Sequence, residues 1–223
     1  MTKSTLSIVT SYHNRRNSFI NTLRSISKSK YSKDIEVIVV DDGSKVDQKI
    51  DDILSMFPNL TIRLIVIDKK LNNWRNSCVP YNIAIRHAKG EKIILQNPEN
   101  YHVTDIISHV IENLQHEDYF TYKVFALTEE QSKNLDHTIA TVPFESITGC
   151  GCENGWYNHP KWRAGYYHFV SAIYADVLQK DLNGFDERYA DGWGFEDDDL
   201  IIRINNRGLK KSIIENHLAL HQW

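Results

Sequence analysis

Four consecutive acidic residues, Glu196 to Asp199, are the most prominent chemical feature of the sequence. The helical spacing that follows them continues to Asn206, so they occupy the first turn of a helix, where the helix dipole stabilises negative charge. The dipole accounts for about two of the four carboxylates. The others follow Trp193, which stands between two glycines. This arrangement predicts a carboxylate presented to a polar substrate beside an aromatic surface.

The elements that must position these groups alternate along the first half of the chain. Short apolar runs predict strands, and amphipathic runs predict helices. The predicted strands are Leu6–Thr10, Ile35–Val40, Ile62–Ile67 and Lys92–Leu95, and the predicted helices span Phe19–Ile26, Ile50–Phe57 and Tyr81–Ala88. Unbroken apolar strands between helices indicate an α/β fold, in which a mixed, mostly parallel central sheet is flanked by helices.

Small polar and acidic residues stand where these strands end. They are Thr10, Ser11, Asp41, Asp42, Asp68, Asn97 and Glu99. Ligands of such sheets bind beyond the carboxyl ends of the strands, so we expect the site at this edge. The segment from Asp41 to Ser44 would serve equally well as a turn and a helix start.

The second half is less regular. Its predicted elements are a helix at Ile106–Leu114, strands at Tyr119–Leu127 and His168–Tyr174, a short helix at Asp176–Lys180, the helix at Glu196–Asn206, and closing strands at Ile213–Ile214 and Leu218–His221. A long polar stretch from Thr128 to Gly165 has the length of a lid or binding loop.

Composition excludes several classes of protein. A net charge of −3 over 223 residues provides no field for nucleic acid or an anionic membrane. Without a leader or a run of eighteen apolar residues, we expect a cytoplasmic protein with no membrane anchor, and the chain could be one domain of a longer protein. Cys150 and Cys152 lie near His159, but their spacing is too short for a zinc-binding pair, so reduced thiols are expected.

Segments of both halves carry a family resemblance. Those of the first half are Ser7–Tyr12, Val39–Ser44, and Asn82 followed by Ala88–Glu91, and they resemble the nucleotide-binding half of GT-A glycosyltransferases of the family-2 type. Those of the second half are Asn183–Glu187 and Gly192–Asp199 with Arg203, and they resemble the β-1,4-galactosyltransferases and polypeptide N-acetylgalactosaminyltransferases. The resemblance implies a single GT-A (Rossmann-like) domain, with a nucleotide-sugar-binding half (1–100) and an acceptor-binding and catalytic half (101–223).

The resemblance implies roles for the residues that bind the donor. Thr10 and Ser11 stand where the family contacts the nucleoside, and Asp41 or Asp42 where a carboxylate accepts a hydrogen bond from uracil. Trp74 and Arg75 would help to hold the base or the pyrophosphate. A lid over an apolar cluster remains open for Trp74, as does a solvated loop charge for Arg75.

The metal motif departs from that of the family. Where the family has Asp-X-Asp after the fourth strand, this chain has Asn97-Pro98-Glu99, so Asn97 is a neutral donor-binding group. The galactosyltransferases add a histidine, which His221 matches, with His217 as the alternative. Glu99 and His221 would bind Mn²⁺ or Mg²⁺. Because one carboxylate is missing, we expect the ion to bind mainly together with the diphosphate.

The implied reaction transfers a hexose or N-acetylhexosamine from a UDP-sugar to a hydroxyl group of a glycan, a protein or a small molecule. Asp197 occupies the position of the family's base, and Glu196 and Asp198 would orient the acceptor. The aromatic residues expected to contact the acceptor are Trp193, Trp156 and Tyr157. A single displacement with one base inverts the anomeric configuration.

Two other functions fit parts of the sequence. A sugar-1-phosphate nucleotidyltransferase needs a glycine-rich phosphate loop after the first strand, and Ser11–Asn14 contains no glycine. A non-catalytic carbohydrate- or nucleotide-binding module with a degenerate metal motif stays open. Such a module would not need Asp197, Glu99 and His221 together.

Overall fold

A computed structural model describes residues 5–70 and 72–223. Its strands are β1 (Leu6–Tyr12), β2 (Ile35–Asp41), β3 (Thr61–Val66), β4 (Lys92–Gln96), β5 (Asn100–His102), β6 (Asp118–Ala126), β7 (Gly155–Asn158), β8 (Val170–Tyr174) and β9 (Lys210–His221). Its α-helices are α1 (Arg16–Ser27), α2 (Cys78–His87), α3 (Ile106–Asn113), α4 (Glu129–Lys133), α5 (Leu135–Thr141) and α6 (Glu196–Arg207). In this part of the chain the strands form one sheet in the order β3-β2-β1-β4-β8-β6-β9-β5, and β7 pairs with β6.

The first half is the parallel unit that the apolar runs predict. β1 lies between β2 and β4, and β3 extends the sheet beyond β2, all in parallel. Alternate residues of β1 face opposite sides, so Ile8 packs into the core with Phe19 and Leu23 of α1. Val9 packs into the other core with Tyr81 of α2 and Leu200 of α6. Helices on both faces therefore fix the carboxyl ends of the strands.

The second half completes the sheet with mixed pairing. β8 runs antiparallel between β4 and β6, while β9 lies parallel to β6 and antiparallel to β5. β9 is one strand of twelve residues rather than the two short strands expected. The pairing of β9 with β6 shifts register between Tyr122 and Lys123 of β6, and this shift lets β9 continue through its polar middle. The short strand β5 has too few residues to produce an alternating pattern.

Two other expectations differ from the structure. The segment Ile50–Phe57 is not an α-helix, because its central residues, Asp51–Met56, form a 3-10 helix. Extended Lys49 separates this helix from a preceding 3-10 turn, Val46–Gln48. Ile50 and Ile53 still point into the core, which is why the spacing looked helical. The long polar stretch is not one loop but contains α4, α5 and β7. The Thr128 hydroxyl caps α4 by accepting a hydrogen bond from the backbone N–H of Gln131.

Among the helices of the described residues, none combines the length and the apolar character needed to cross a bilayer.

Candidate active site

The carboxyl ends of the strands meet at one edge of the sheet, as expected. Tyr12 of β1 is in register with Asp41 of β2, and Asn100 of β5 with His221 of β9. Thr10, one position before the edge, is buried, and its hydroxyl group has no hydrogen-bond partner within the described residues. Both halves of the chain therefore contribute to this edge.

The two carboxylates at the carboxyl end of β2 are held by donors from the protein. Asp41 is buried and accepts a hydrogen bond from the backbone N–H of Ser44 at 2.9 Å. Half-buried Asp42 accepts one from Asn72 at 2.9 Å and another from the indole N–H of Trp74 at 3.1 Å. Burial raises the pKa of Asp42, and the Trp74 hydrogen bond only partly opposes this. Trp74 is thus fixed to a carboxylate, and it belongs to none of the three apolar clusters of the described chain.

The other residues predicted to bind the donor make separate contacts. Ser11 is half-buried on β1, next to Val40 in register. Asn97 accepts a hydrogen bond from the Tyr81 hydroxyl at 3.1 Å. Arg75 is exposed, and its backbone N–H donates to the carbonyl of Ala190 at 2.8 Å. This contact joins the segment after β3 to the loop that precedes α6.

The predicted metal ligands contact each other. Glu99 Oε1 lies 3.1 Å from His221 Nε2, and the two side chains are only 12% and 16% exposed. The ring of Tyr157 packs edge-on against His221, with centroids 4.8 Å apart. Burial alone would raise the pKa of Glu99, but the hydrogen bond and charge of His221, together with the charge of Arg15, outweigh it and lower that pKa.

An oxygen and an imidazole nitrogen at this distance suit a transition metal, but they are only two ligands. No group of three His, Cys, Asp or Glu side chains in the described residues is arranged to hold a metal ion. His217 is not the alternative ligand, because its Nδ1 lies 3.0 Å from the Thr104 hydroxyl and its ring packs against His109. An ion at Glu99 and His221 would therefore need further ligands from a diphosphate or from water.

The four carboxylates of α6 do different things. Asp199 pairs with Arg203 at 2.8 Å, and Arg203 also donates to the carbonyls of Leu182 and Gly184, so Asp199 is structural. Asp198 is exposed and accepts a hydrogen bond from the Tyr167 hydroxyl at 2.8 Å. These two residues fix the first turn of the helix to its surroundings.

The other two carboxylates of α6, Glu196 and Asp197, are partly buried. Glu196 has a buried oxygen, Oε2, that no hydrogen bond satisfies within the described residues. Asp197 Oδ1 lies 2.5 Å from Nδ1 of buried His168, in ion-pair contact rather than in a well-aligned hydrogen bond. Burial alone would raise the pKa of Asp197, but the charge of His168 outweighs it and lowers that pKa. Asp197 is thereby kept ionised.

The three aromatic residues that were predicted to contact the acceptor lie in different environments. Trp193 is 79% exposed in the loop before α6, and Tyr157 is half-buried beside His221. Trp156 is completely buried, packs against Phe125 and donates from its indole to the carbonyl of Ile147. Because neighbouring residues of β7 face opposite sides, Trp156 belongs to the core, and we do not retain it as an acceptor contact.

The two sequence motifs meet in the structure. The Asn82 side chain donates to the carbonyl of Phe185 and accepts from its backbone N–H, both at 2.8 Å. Gly184 has a left-handed φ of +68°, and a Cβ there would lie 2.3 Å from the Asn82 side-chain oxygen. This close approach requires glycine. Asn82 and the turn after β8 therefore join the two halves.

Sequence reasoning missed two residues of this edge. His168 and Tyr167 lie just before β8 and contact Asp197 and Asp198. No local pattern pointed to them, because their partners lie about thirty residues further along the chain. The missed pairing of a buried imidazole with an acidic motif is visible only once β8 and α6 are adjacent.

This architecture and site define a glycosyltransferase enzyme with a GT-A fold. The chain belongs to the family described as glycosyl transferase family 2, whose model matches residues 7–170. A second model, described as the N-terminal domain of galactosyltransferase, matches residues 157–221. Both parts of the resemblance are thereby confirmed. A comparison with curated proteins finds no match.

Solved structures share the fold at low sequence identity. S. aureus TarS has a TM-score of 0.68 at 16% identity, covering 98% of this chain and 36% of that one. The structure of TarS 1-349 in complex with UDP-GlcNAc has a TM-score of 0.66 at 16% identity, covering 96% of this chain and 58% of that one. A mannosyltransferase of Pyrobaculum calidifontis, PcManGT, in complex with GDP-Man and Mn²⁺, has a TM-score of 0.63 at 15% identity, with 99% and 57% covered. This chain thus spans between about a third and three fifths of their lengths.

Proposed function

We propose that the chain transfers a hexose or N-acetylhexosamine from a UDP-sugar to a hydroxyl group, with inversion and with Asp197 as general base. The observation that carries the proposal is the position of an ionised, partly exposed carboxylate, Asp197, in a site that also offers the Glu99–His221 pair. The reaction needs two functions, removal of the acceptor proton and neutralisation of the leaving diphosphate. Asp197 is suited to removing the proton, and the Glu99–His221 pair is suited to holding a cation that neutralises the diphosphate.

The donor is held by the edge of the first half. Asp41 or Asp42 would accept a hydrogen bond from the uracil ring, with Thr10 and Ser11 at the nucleoside, Asn97 near the sugar, and Trp74 beside the base. Arg75 would face the pyrophosphate. The TarS complex with UDP-GlcNAc supports a uridine nucleotide, whereas the PcManGT complex with GDP-Man makes guanosine the relevant competitor.

The chemical step is a single displacement. The acceptor oxygen forms a bond to C1 of the sugar, the bond from C1 to the diphosphate breaks, and its electron pair leaves with the phosphate oxygen. The acceptor proton passes to Asp197. Glu196 and Asp198 would orient the acceptor sugar, Trp193 would provide a face for its apolar C–H groups, and Tyr157 would contact it beside His221.

Glu99 and His221 would hold Mn²⁺ or Mg²⁺ together with the diphosphate. A bound divalent ion would supply positive charge that stabilises the leaving group. The Mn²⁺ complex of PcManGT supports this assignment. We further propose one domain over residues 1–223 and action in the cytoplasm, which the three unpaired cysteines favour.

The test measures nucleotide affinity and turnover on the same preparation. Calorimetry in Mn²⁺ should give UDP a smaller Kd than GDP, and a UDP-release assay should show sugar transfer to hydroxyl acceptors. Equal affinity for both nucleotides would contradict the donor assignment. Tight binding of UDP without turnover on any acceptor would contradict the catalytic assignment, and retained anomeric configuration would exclude the single displacement.

A further inference from the structure

His168 is the buried titratable group nearest to the proposed base. Its Nδ1 lies 2.5 Å from Asp197 Oδ1. That oxygen is inaccessible to solvent, although the Asp197 side chain as a whole is 28% exposed. The exposed part must therefore include the second oxygen, Oδ2. One oxygen of the carboxylate faces the imidazole, and the other is open to the site.

The ring of His168 is fixed by its neighbours. It packs edge-on against Tyr81 of α2 at 5.0 Å and against Phe185 at 4.9 Å between centroids. The backbone of Tyr166, two residues before His168, is also held in place. Its carbonyl accepts a hydrogen bond from the Tyr119 hydroxyl, and its N–H donates to the Asn158 side chain. A phenylalanine would fill this apolar space without the cost of burying an imidazole. The polar partner in contact with His168 is Asp197.

We propose that His168 is a positioning residue for the general base: it holds Oδ1 of Asp197, so that Oδ2 faces the acceptor hydroxyl, and it keeps the carboxylate ionised. The inference rests on the proposed function, and it extends that function to a residue that lies outside both sequence motifs. Preorganisation of this kind removes the need to orient the carboxylate during the reaction.

The proton balance assigns no transfer to His168. The acceptor hydroxyl loses its proton to Oδ2 of Asp197 as the new C1–O bond forms and the bond to the diphosphate breaks. His168 keeps its own proton throughout. Asp197 then releases the acquired proton to solvent when the product leaves, which restores the starting pair.

The charges around the pair favour its ionised form. Burial alone would lower the pKa of His168, but the charge of Asp197 and its contact with the ring, with a contribution from Glu196, outweigh it and raise that pKa. From α2, Tyr81 adds no charge, since burial raises its pKa well above the ordinary value. From β6, Tyr119 is likewise neutral, because burial raises its pKa well above the ordinary value.

The sign of the pH dependence follows from these directions. The pKa of Asp197 is lowered, so the ionised carboxylate adds to the free energy of unfolding above its ordinary pKa. This contribution is lost as the pH falls through the lowered value. The pKa of His168 is raised, so the protonated ring adds to the free energy of unfolding below its ordinary pKa. This contribution is lost as the pH rises through the raised value. The ion pair is complete between these two pKa values.

Two substitutions separate position from charge. His168→Asn keeps an N–H near the place of Nδ1 but removes the positive charge, whereas His168→Phe keeps only the ring. We expect His168→Phe to lower kcat by about a hundredfold. We expect His168→Asn to recover most of kcat at neutral pH and to move the acidic limb of the kcat/KM profile to higher pH. His109→Asn and His109→Phe are the matched controls, because His109 is a part-buried imidazole that contacts Tyr122 away from the site.

Calorimetry with UDP checks that each variant retains the donor site. Wild-type kcat and an unshifted acidic limb in His168→Phe would overturn the inference. So would equal losses in both variants with an unshifted limb, because that pattern is what a purely structural role produces.

A second measurement needs no transfer activity. In protein labelled with ¹⁵N-histidine, NMR titration should show His168 protonated above the ordinary range near pH 6.5, and Asp197→Asn should lower its pKa. An ordinary or lowered pKa of His168 in the wild-type protein, or no change in Asp197→Asn, would overturn the inference. If the pair titrates as expected but no sugar is transferred, the proposed function fails and the pair itself stands.

Discussion

Two tryptophans at the same edge of the sheet are held very differently. Trp74, on the proposed donor side, is half-buried, and its indole N–H donates to Asp42. Trp193, on the proposed acceptor side, is 79% exposed, and its indole N–H has no hydrogen bond in the described chain. The donor side is thus largely formed before a ligand binds. An acceptor that stacks on Trp193 would have to restrict the rotamers of this exposed side chain, which costs conformational entropy at that step.

The backbone shows the same difference. The segment that carries Trp193 runs through Gly194 at a φ of +81° and Phe195 at +71°, and Phe195 is a non-glycine residue in the left-handed region. Its side chain is 70% exposed. By contrast, Asp41 ends the buried parallel strand β2 and pairs with Tyr12 of β1, and Asp42 follows directly. A buried strand end on the proposed donor side and an exposed loop on the proposed acceptor side would let one scaffold bind a constant nucleotide and a variable acceptor.

The largest expected effect is that of Asp197→Asn, which should lower turnover by about a hundredfold or more, because the amide cannot accept the acceptor proton. The affinity for UDP should stay within about twofold, since the donor side does not depend on this residue. Steady-state kinetics and calorimetry check the two expectations. Asp199→Asn is the matched control on the same turn. It should reduce the melting temperature by breaking the pair with Arg203 while retaining most of the turnover.

Near-normal transfer by Asp197→Asn would move the base to Asp198 or to another carboxylate. It would also remove the contrast between the proposed donor side and the proposed acceptor side.

The next effect concerns the metal, where the donor side is least complete. With two protein ligands, Mn²⁺ should bind at least about tenfold more tightly in the presence of UDP than in its absence, because the diphosphate completes the site. His221→Ala should abolish this difference. Titration calorimetry of Mn²⁺ with and without UDP measures both. Tight binding of Mn²⁺ without nucleotide, or full activity in excess chelator, would instead assign the neutralisation of the leaving group to Arg75 or to Arg163, whose guanidinium group lies over the Tyr157 ring at 5.9 Å from its centroid.

How far the sequence predicts this molecule also differs between the two sides. The first half was predictable because each buried parallel strand leaves an unbroken apolar run, and the edge residues Asp41 and Glu99 follow directly from the strand ends. β5 and the continuous β9 were not, since three residues carry no period and β9 passes through polar Glu215 and Asn216.

The candidate site divides in the same way. The acidic run of α6 was recognisable as a motif, but its four members proved to have separate partners, and only tertiary contacts distinguish Asp197 from Asp199. The position of Trp156 in the core depended on which face of β7 it occupies, and the surrounding irregular sequence does not reveal that. Prediction fails where function or packing depends on residues distant in the chain.

A smaller effect is expected for Trp74→Phe, which keeps an aromatic ring but removes the hydrogen bond to Asp42. A hydrogen bond to a charged group contributes about 1.5–3 kcal/mol, so the Kd for UDP should rise by about tenfold or more if Asp42 then turns away from the base. The acceptor KM should stay unchanged. Calorimetry and acceptor kinetics test this, and an unaltered UDP affinity would show that Trp74 is not part of the donor site.

The smallest effect should come from Trp193→Ala, the counterpart on the open side. An exposed aromatic face against a sugar contributes about 1 kcal/mol, so the acceptor KM should rise by about fivefold, with the Kd for UDP unchanged. The melting temperature should also stay within about a degree, since a side chain this exposed makes little packing contribution. A marked loss of stability or of UDP affinity in this variant would mean that the loop before α6 is ordered without its ligand. The two sides of the site would then be alike in being formed beforehand.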